Sequence, residues 1–475
     1  MSIFINRFRE LALLEERYGS DRAELVVIYG RRRVGKSELI DRFIAASGGI
    51  RLLAREESKA LQLRRFTADL AEYFNDPVLA RTTFTDWDGF FEYLASRSLE
   101  RIVIAIDEFP YLVKEDPSLP SLLQAAWDRV LSRGKIFFIL SGSSISLVES
   151  SLMRYTSPLH GRRTGQMLLR PLRFRDLLEY IPEIGPAVET YAVFGGTPAY
   201  LIAADPSRTA LENAERAILR EDAFLYRDVE FVLRSELSEP RYYFAILLSI
   251  ARGNHRLGLI ANDTGLSAGL VNKYLSVLID LQLVQREVPA TESEKSRAGL
   301  YILADNLFDF WFRFVYPNLE LIERGDARLL LERHIRPQFA QYVGPHFEEA
   351  VQDLLLCANT GGALPFTFLS LGRWWHRGDE IDLVATDPPG RTIGFCECRW
   401  RDGVDGGEVL QKLREKAARM PWHRGNRVEH YWIAARSFSR RPEGERVIGF
   451  DLGDLEQLWR RCHAGNHSGI ADTLE

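Results

Sequence analysis

The sequence is poor in cysteine and has no long hydrophobic run. Its four cysteines are Cys357, Cys396, Cys398 and Cys462, and no two of them have the Cys-x-x-Cys spacing of a zinc site. We therefore expect buried, reduced thiols instead of a disulfide framework. No apolar run reaches the roughly 20 residues that a membrane-spanning helix needs, and the amino terminus has no signal-peptide core. These absences predict a cytoplasmic protein that makes no membrane contact.

An excess of basic residues is also missing. The chain has 61 Lys and Arg residues against 66 Asp and Glu residues, which gives a formal net charge of −5. This balance argues against a protein that coats nucleic acid through bulk positive charge, although local basic patches are compatible with it. Hydrophobic residues make up 46% of the 475 positions, so we expect a folded chain of three or four domains.

Four short apolar runs in the first third of the chain predict the strands of a sheet. They are Leu25–Tyr29, Ile102–Ile106, Lys135–Leu140 and Gln166–Leu169. Continuous apolar runs between amphipathic segments are typical of parallel strands that helices cover on both faces. The sequence therefore predicts a doubly wound α/β domain over residues 1–175. A helical pattern over residues 176–235 predicts a lid.

Residues 236–330 have the pattern of a winged helix-turn-helix with a helical connector. Helices are expected at Tyr242–Ala251, Leu257–Thr264 and Ser267–Asp280, followed by strands at Leu283–Val288 and Leu300–Leu303. The third helix of such a module enters the major groove of DNA, so we expect a DNA partner. The polar and basic residues placed to contact DNA are Ser267, Asn272, Lys273, Ser276, Arg256, Lys295 and Arg297. Winged helices also serve as protein-binding modules, and this alternative stays open.

Residues 331–475 predict a further mixed α/β domain. Its expected helices are Phe347–Cys357 and Glu408–Arg419, and its expected strands are Phe366–Leu371, Ile381–Ala385, Thr392–Cys398 and His430–Ala434.

A phosphate-binding motif follows the first predicted strand. Residues 30–37, GRRRVGKS, fit the pattern G-x-x-x-x-G-K-[ST], in which backbone N–H groups and a helix amino terminus surround phosphate oxygens. Lys36 is expected to reach the β- and γ-phosphates of ATP, and the Ser37 hydroxyl is expected to bind Mg²⁺. The predicted nucleotide-binding residues are Gly30, Arg31, Arg32, Arg33, Val34, Gly35, Lys36, Ser37 and Glu38.

Acidic residues at the end of another central strand complete the predicted site. Asp107 follows the run Ile102–Ile106 and is expected to hold Mg²⁺, and Glu108 is expected to polarise the attacking water. Ser141, at the end of the next strand, is a candidate contact to the γ-phosphate, with a simple strand-end turn as the alternative. Arg162 and Arg163 are candidates for an arginine finger, with a solvated surface pair as the alternative. The pair Asp107-Glu108 favours ATP hydrolysis over binding alone.

Several stretches resemble the archaeal-type P-loop ATPase family, which is related to the AAA+ and STAND classes. They are FINRFREL from Phe4, the loop GRRRVGKS, IAIDEFPYL, ILSGSSIS, LHGRRTG and FGGTPAYL. The resemblance implies an ATP-hydrolysing protein with a helical lid, in which Pro198 contacts the base. It also implies that Tyr29 and the pair Asn6-Arg7 line the same cleft.

The carboxy-terminal stretches DNLFDFWFRFVYPN, GRWWHRGDEIDLVA and GFCECRW resemble the module that is often fused to these ATPases. That module combines a winged helix with a restriction-endonuclease-like fold of the PD-(D/E)XK type. In such nucleases two carboxylates and a lysine surround Mg²⁺. The matching residues are Asp382, Glu397 and Arg399, with Glu348 as a possible third carboxylate, so an arginine stands at the lysine position. Arginine cannot give up a proton, and a domain that only binds DNA, or a simple Asp–Arg core pair, stays open.

Two functions are compatible with these motifs. The first is an ATPase that acts on DNA and gates a nuclease-like domain. The second is a STAND-like nucleotide switch that controls DNA binding or assembly without cleavage. Both use ATP and Mg²⁺, and both are compatible with a homo-oligomer.

Overall fold

The chain folds into two compact units, Met1–Pro171 and Leu172–Glu475. The computed structural model describes residues 5–237 and 239–471, with side chains up to residue 463. Phe4, the first residue of the family-like stretch, lies outside the described residues, as do the extreme ends of the first and last predicted domains. The finer division at residues 175, 235 and 330 stays a prediction.

The first unit contains a five-stranded parallel sheet in the order β2-β3-β4-β1-β5. The strands are β1 (Glu24–Tyr29), β2 (Gly49–Leu53), β3 (Ile102–Asp107), β4 (Ile136–Gly142) and β5 (Gly165–Leu168). The helices are α1 (Phe8–Tyr18), α2 (Lys36–Ser47), α3 (Lys59–Tyr73), α4 (Trp87–Ser96), α5 (Phe109–Glu115), α6 (Leu119–Arg129) and α7 (Ile145–Val148). The predicted α/β fold with a parallel central sheet is confirmed. Sequence analysis missed β2, because this short edge strand is only partly buried.

Alternate residues of the central strands enter two cores, one on each face of the sheet. Leu25 and Val27 pack in a core with residues of α3, α4 and α6. Val26 and Ile28 pack in the opposite core with residues of α2. Burial on both faces explains why β1 is apolar at consecutive positions instead of alternating with polar residues.

The second unit begins with helices and a β-hairpin. The helices are α8 (Phe174–Leu177), α9 (Ile184–Phe194), α10 (Pro198–Leu201), α11 (Ala210–Ala217), α12 (Asp228–Glu236), α13 (Pro240–Ala251), α14 (Leu257–Thr264) and α15 (Ala268–Asp280). Strands β6 (Val284–Glu287) and β7 (Leu300–Leu303) then pair in antiparallel fashion. Ser267 caps α15, and its side chain accepts a hydrogen bond from the backbone N–H of Leu270. Three helices and a hairpin thus follow one another between residues 240 and 303.

Short helices connect the hairpin to the last part of the chain. They are α16 (Asn306–Phe310), α17 (Leu319–Glu323) and α18 (Ala327–Leu330), and π-helical turns continue α16 and α18. The 25-residue helix α19 (Arg336–Thr360) follows and contains Pro345. The prediction of a separate helix at Phe347–Cys357 was therefore too short, because an internal proline favours a helix boundary at this point of the sequence.

A mixed five-stranded sheet in the order β14-β12-β10-β9-β8 completes the second unit. The remaining elements are β8 (Ser370–His376), β9 (Asp379–Asp387), β10 (Thr392–Arg399), β11 (Val404–Asp405), α20 (Gly406–Arg419), β12 (Val428–Ala435), β13 (Phe438–Arg440), β14 (Val447–Phe450) and α21 (Leu452–Ala471). The predicted strand at Phe366–Leu371 was wrong in its bounds, since pairing with β9 begins only at Ser370. All four cysteines are buried free thiols. None of the described helices is long and apolar enough to cross a membrane.

Candidate functional site

The phosphate-binding loop joins β1 to α2. It turns sharply, with positive φ angles of 153° at Gly30, 70° at Arg33 and 90° at Gly35. A Cβ atom at Gly30 would lie 2.3 Å from the carbonyl oxygen of Leu169, so only glycine fits there. Because Gly35 is the residue that precedes α2, the backbone N–H groups of the first turn of α2 lie beside the loop. This is the backbone arrangement that binds phosphate.

The Lys36 ammonium lies inside the loop. Its Nζ donates hydrogen bonds to the carbonyl oxygens of Gly30, at 2.7 Å, and Arg31, at 3.0 Å. The side chain is buried, so the charge lies in a weakly screened environment, where its attraction to a phosphate is strong. Beside the loop, the Arg32 guanidinium donates to the Tyr111 hydroxyl at 2.8 Å.

The Asp107 carboxylate is the centre of a hydrogen-bond network at the end of β3. Its Oδ2 accepts from the Ser37 hydroxyl at 2.7 Å, and its Oδ1 accepts from the Ser141 hydroxyl and from the Glu108 backbone N–H. Asp107 is buried, and these hydrogen bonds fix the orientation of its carboxylate. A hydroxyl and a carboxylate side by side at the phosphate loop are oxygen ligands that Mg²⁺ prefers, and these residues fit the ion.

Arg51 is a residue of this network that sequence analysis missed. It lies on β2, and its Nη1 is 3.2 Å from Asp107 Oδ2. The same guanidinium binds Asp41 of α2 through two contacts, Nε to Oδ1 at 2.5 Å and Nη2 to Oδ2 at 3.0 Å. The only signal in the sequence was an arginine within the otherwise apolar GIRLL, and β2 itself was not predicted.

Glu108 has a strained backbone conformation, with φ 56° and ψ 39°. This conformation directs its carboxylate toward the end of β4, where Oε2 accepts from the Ser143 backbone N–H at 3.1 Å and from the Ser143 hydroxyl at 2.8 Å. Glu108 is thus held beside Asp107 and Ser141, at the same edge of the sheet as the phosphate loop. Ser143 was not singled out by sequence analysis.

The two candidate arginine fingers both have partners within the first unit. Arg162 forms a two-point ion pair with Asp128, with the shorter contact at 2.9 Å. Arg163 donates to the Gln166 side chain at 2.6 Å. Contact of either arginine with a nucleotide stays a prediction. Pro198 begins α10 in the second unit, and its contact with the base also stays a prediction.

A second group of charged side chains lies in the carboxy-terminal sheet. Leu383 of β9 pairs with Cys396 of β10, which brings the neighbouring Asp382 and Glu397 together. Arg399 bridges the two carboxylates: its Nη1 is 3.1 Å from Asp382 Oδ2, and its Nη2 donates to Glu397. Both carboxylates are buried. The sequence therefore indicated a cluster that the fold does assemble.

Lys416 is a member of this cluster that sequence analysis missed. It projects from α20, and its Nζ lies 2.5 Å from Glu397 Oε1. Burial raises the pKa of Asp382 to about 6, with a further contribution from the charge of Glu397. Burial and the charge of Asp382 raise the pKa of Glu348 on α19 to about 8. Among the residues that the structure describes, no three His, Cys, Asp or Glu side chains are arranged to hold a metal ion.

Comparison with known proteins identifies the family. Residues 4–204 match the model of an ATPase domain found predominantly in Archaea, and residues 311–419 match a model of archaeal and bacterial proteins of unknown function. The chain is 34% identical over 460 residues to the uncharacterized protein MJECL04 of Methanocaldococcus jannaschii. The match covers 95% of this chain and 100% of that protein. The chain belongs to this family of archaeal P-loop ATPases.

Further comparisons match a short part of the chain or a solved structure at low identity. The uncharacterized ATP-binding protein MJ0423 of the same organism is 48% identical over 42 residues, or 9% of this chain and 71% of that protein. Among solved structures, the Walker-type ATPase PABY2304 of Pyrococcus abyssi is 22% identical, with a TM-score of 0.48, and covers 65% of this chain and 96% of that one. The ORC2 protein of Aeropyrum pernix is 17% identical, with a TM-score of 0.44, and the match covers 68% of this chain and 96% of that one.

The matched family regions include both groups of charged residues. The phosphate loop, Asp107 and Glu108 lie within the residues that match the ATPase domain. Asp382, Glu397, Arg399 and Lys416 lie within residues 311–419, and that family has no known function.

Proposed function

We propose that this P-loop ATPase hydrolyses ATP at the edge of the first unit's sheet and acts on DNA through its carboxy-terminal half. The observation that carries the proposal is the contact of Ser37 with Asp107 at 2.7 Å, beside the phosphate loop and Glu108. The loop supplies backbone N–H groups for phosphate, and Ser37 and Asp107 supply oxygen ligands. These parts are sufficient to bind and orient Mg²⁺–ATP.

In this proposal each residue has a separate role. Lys36 and the loop bind the β- and γ-phosphates, and Ser37 and Asp107 hold Mg²⁺, which neutralises phosphate charge when bound. Glu108 orients a water molecule against the γ-phosphorus and accepts a proton from it. The water oxygen forms a bond to phosphorus as the bond to the β–γ bridging oxygen breaks, which yields ADP and phosphate. Ser143 positions Glu108 through two hydrogen bonds.

The DNA part of the proposal rests on residues 240–303. Ser267, Asn272, Lys273 and Ser276 are exposed on α15 and at its cap, and Lys295 and Arg297 are exposed in the loop between β6 and β7. The arrangement suits a winged helix whose third helix enters a major groove and whose loop contacts phosphates. One lysine on the helix supplies few base contacts, so we expect weak sequence preference and strong salt dependence.

The ends of that loop are in contact with the carboxy-terminal sheet. The Ala290 backbone N–H donates to the carbonyl oxygen of Arg373 on β8, and Trp375 Nε1 donates to the carbonyl oxygen of Ala298 at 3.1 Å. The Arg373 guanidinium lies 3.7 Å from both Glu287 of β6 and Glu348. DNA bound at residues 240–303 would therefore lie close to the elements that carry Asp382 and Glu397.

A test measures duplex DNA affinity in the absence of nucleotide, with ADP and with a non-hydrolysable ATP analogue. We expect at least a threefold difference between ADP and the analogue for the wild type, and no difference for Lys36→Ala. Lys273→Ala with Arg297→Ala should weaken DNA binding and leave ATP turnover unchanged. Equal DNA affinity in all three nucleotide conditions would contradict nucleotide control of DNA binding.

A second candidate function is cleavage of DNA at the carboxylate cluster. The specific observation in its favour is the Lys416 ammonium at 2.5 Å from Glu397. It places a lysine beside the two carboxylates, although position 399 is arginine. In this candidate Asp382 and Glu397 would hold a divalent cation, which would supply positive charge at the scissile phosphate. Arg399 and Lys416 neutralise the same carboxylates.

Cleavage is tested on plasmid and linear DNA with Mg²⁺ or Mn²⁺, with and without ATP. Cleavage that is lost in both Lys36→Ala and Asp382→Ala would support an ATP-gated nuclease. ATP turnover without cleavage under any of these conditions would contradict this candidate. The nucleotide switch, with a nuclease-like fold that only binds, would then be the function that the residues favour.

A further inference from the structure

Arg51 lies between two carboxylates that belong to different elements of the first unit. On one side, Nη1 is 3.2 Å from Asp107 Oδ2 at the end of β3. On the other side, Nε and Nη2 form a two-point pair with Asp41 of α2, at 2.5 and 3.0 Å. Arg51 therefore joins the acidic residue of the nucleotide site to the helix that follows the phosphate loop.

The contact with Asp107 uses the oxygen that the proposed function assigns to Mg²⁺. Asp107 Oδ2 accepts both the Ser37 hydroxyl, at 2.7 Å, and the Arg51 guanidinium. Arginine is charged at every pH at which proteins fold. A divalent cation bound by Ser37 and Asp107 would meet this positive charge on the same oxygen, in a partly buried place where charges are weakly screened. Mg²⁺ and Arg51 therefore compete for Asp107.

The two partners hold Arg51 with different geometry. Asp41 receives a two-point contact, whereas Asp107 receives one bond. Two-point pairs between guanidinium and carboxylate are the stronger kind. The Asp41 side chain is also the more exposed partner, at 47% against 2% for Asp107, so an arginine that pairs with Asp41 alone keeps its access to solvent. Arg51 can thus give up Asp107 and keep Asp41.

We propose that Arg51 is a counter-ion, tethered to Asp41, that pairs with Asp107 before Mg²⁺–nucleotide binds and that releases Asp107 and keeps Asp41 when the metal arrives. The inference rests on the proposed Mg²⁺–ATP site and adds a positioning residue to it. Arg51 keeps the buried Asp107 carboxylate neutralised without metal, and it thereby sets the Mg²⁺ concentration that the site requires. Asp41 is the second carboxylate partner, and it keeps Arg51 paired after the guanidinium leaves Asp107.

Two substitutions should shift the Mg²⁺ requirement in opposite directions. In Arg51→Gln the competing charge is gone, and the half-saturating Mg²⁺ concentration for binding a fluorescent ADP analogue should fall about three- to tenfold. In Asp41→Asn the second carboxylate partner is gone and Arg51 stays on Asp107, so the half-saturating Mg²⁺ concentration should rise by a similar factor. Arg51→Lys keeps the charge that competes for Asp107 but loses the two-point contact with Asp41, so its Mg²⁺ requirement should not fall as that of Arg51→Gln does. Arg55→Gln, at an exposed arginine just beyond β2, is the matched control.

Binding of Mn²⁺ alone, measured by electron paramagnetic resonance, gives a second readout that needs neither nucleotide nor turnover. The same opposite shifts are expected there. Unchanged Mn²⁺ and Mg²⁺ requirements in both variants, or shifts of both in one direction, would overturn the proposal, because a merely structural ion pair has no reason to give opposite signs. A wild type that binds Mn²⁺ but no adenine nucleotide would sink the proposed function, while the Mn²⁺ shifts would still decide the role of Arg51.

Discussion

The Lys416 ammonium lies 2.5 Å from a carboxylate oxygen of Glu397, although 19 residues separate them in the chain. Glu397 is a buried residue of β10, and Lys416 comes from α20, which packs on the same sheet. Arg399 holds the other oxygen of Glu397. Two cations thus pair with one buried carboxylate, and each ion pair should stabilise the folded second unit.

Removal of Lys416 should destabilise the second unit. Lys416→Met leaves Glu397 with Arg399 as its remaining cation, and breaking such a pair should lower the free energy of unfolding by about 1–3 kcal/mol. Lys412→Met, one turn earlier on an exposed face of α20, should cost less than about 0.5 kcal/mol. Denaturant unfolding of both variants checks the prediction. Adding Glu397→Gln to Lys416→Met should recover part of the loss, and strictly additive effects would contradict the pairing.

Loss of the Lys36 charge should weaken nucleotide binding. The buried ammonium now bonded to two loop carbonyls would no longer be available to phosphate. Charge-assisted hydrogen bonds contribute about 1.5–3 kcal/mol each, so ATP affinity should fall about 10- to 100-fold in Lys36→Ala. Isothermal titration with ATP and Mg²⁺ measures this change. Lys59→Ala, at a lysine outside the loop that pairs with Asp116, is the control and should bind as the wild type does.

The Glu108→Gln variant should bind ATP and hydrolyse it slowly. Glutamine still accepts the Ser143 hydrogen bonds, but it is a far poorer base, so kcat should fall about 10²- to 10⁴-fold. KM should change by less than about threefold, because Glu108 is not assigned a phosphate contact. Steady-state phosphate release measures both constants. A variant with nearly full kcat would show that another group orients the water.

Stability of the second unit should fall at alkaline pH because of His346. Burial lowers the pKa of this imidazole, but the carboxylates of Asp309 and Glu349 outweigh it and raise the pKa to about 9. The nearer one, Asp309, lies 3.3 Å away. Because the folded pKa exceeds the unfolded value of about 6.5, the stabilisation is complete below pH 6.5 and is lost as pH rises through about 9.

The full effect is about 3 kcal/mol, the product of the pKa difference and 1.36 kcal/mol per unit. Thermal unfolding between pH 6 and 10 should show a fall of the midpoint that His346→Gln removes. His334→Gln, at an exposed histidine, should keep the pH dependence of the wild type. An identical pH profile for His346→Gln would mean that the imidazole is neutral in the folded protein.

Some features of this ATPase follow from contiguous sequence. The phosphate loop is predictable because its glycines, lysine and serine have fixed spacing between a strand and a helix. Asp107 and Glu108 are predictable because they follow an apolar run that has the character of a central strand. Asp382 and Glu397 are predictable as a pair, because a hairpin of two strands aligns residues across a short turn.

Other features were decided by the tertiary structure alone. Arg51, Ser143 and Lys416 each lie on a different element from the carboxylate that they contact, and their local sequence does not show which carboxylate that is. The arginine in GIRLL is unusual for an apolar run, but its partner is not visible there: the contacts of all three residues depend on which strands are neighbours in the sheet and on where a helix packs. Short stretches of sequence fix backbone conformation and alternation of side chains, so they reveal motifs within one element. Charge pairs between elements depend on packing over the whole unit. A buried carboxylate is costly unless it is paired, and the fold of the unit decides which cation lies close enough to pair with it.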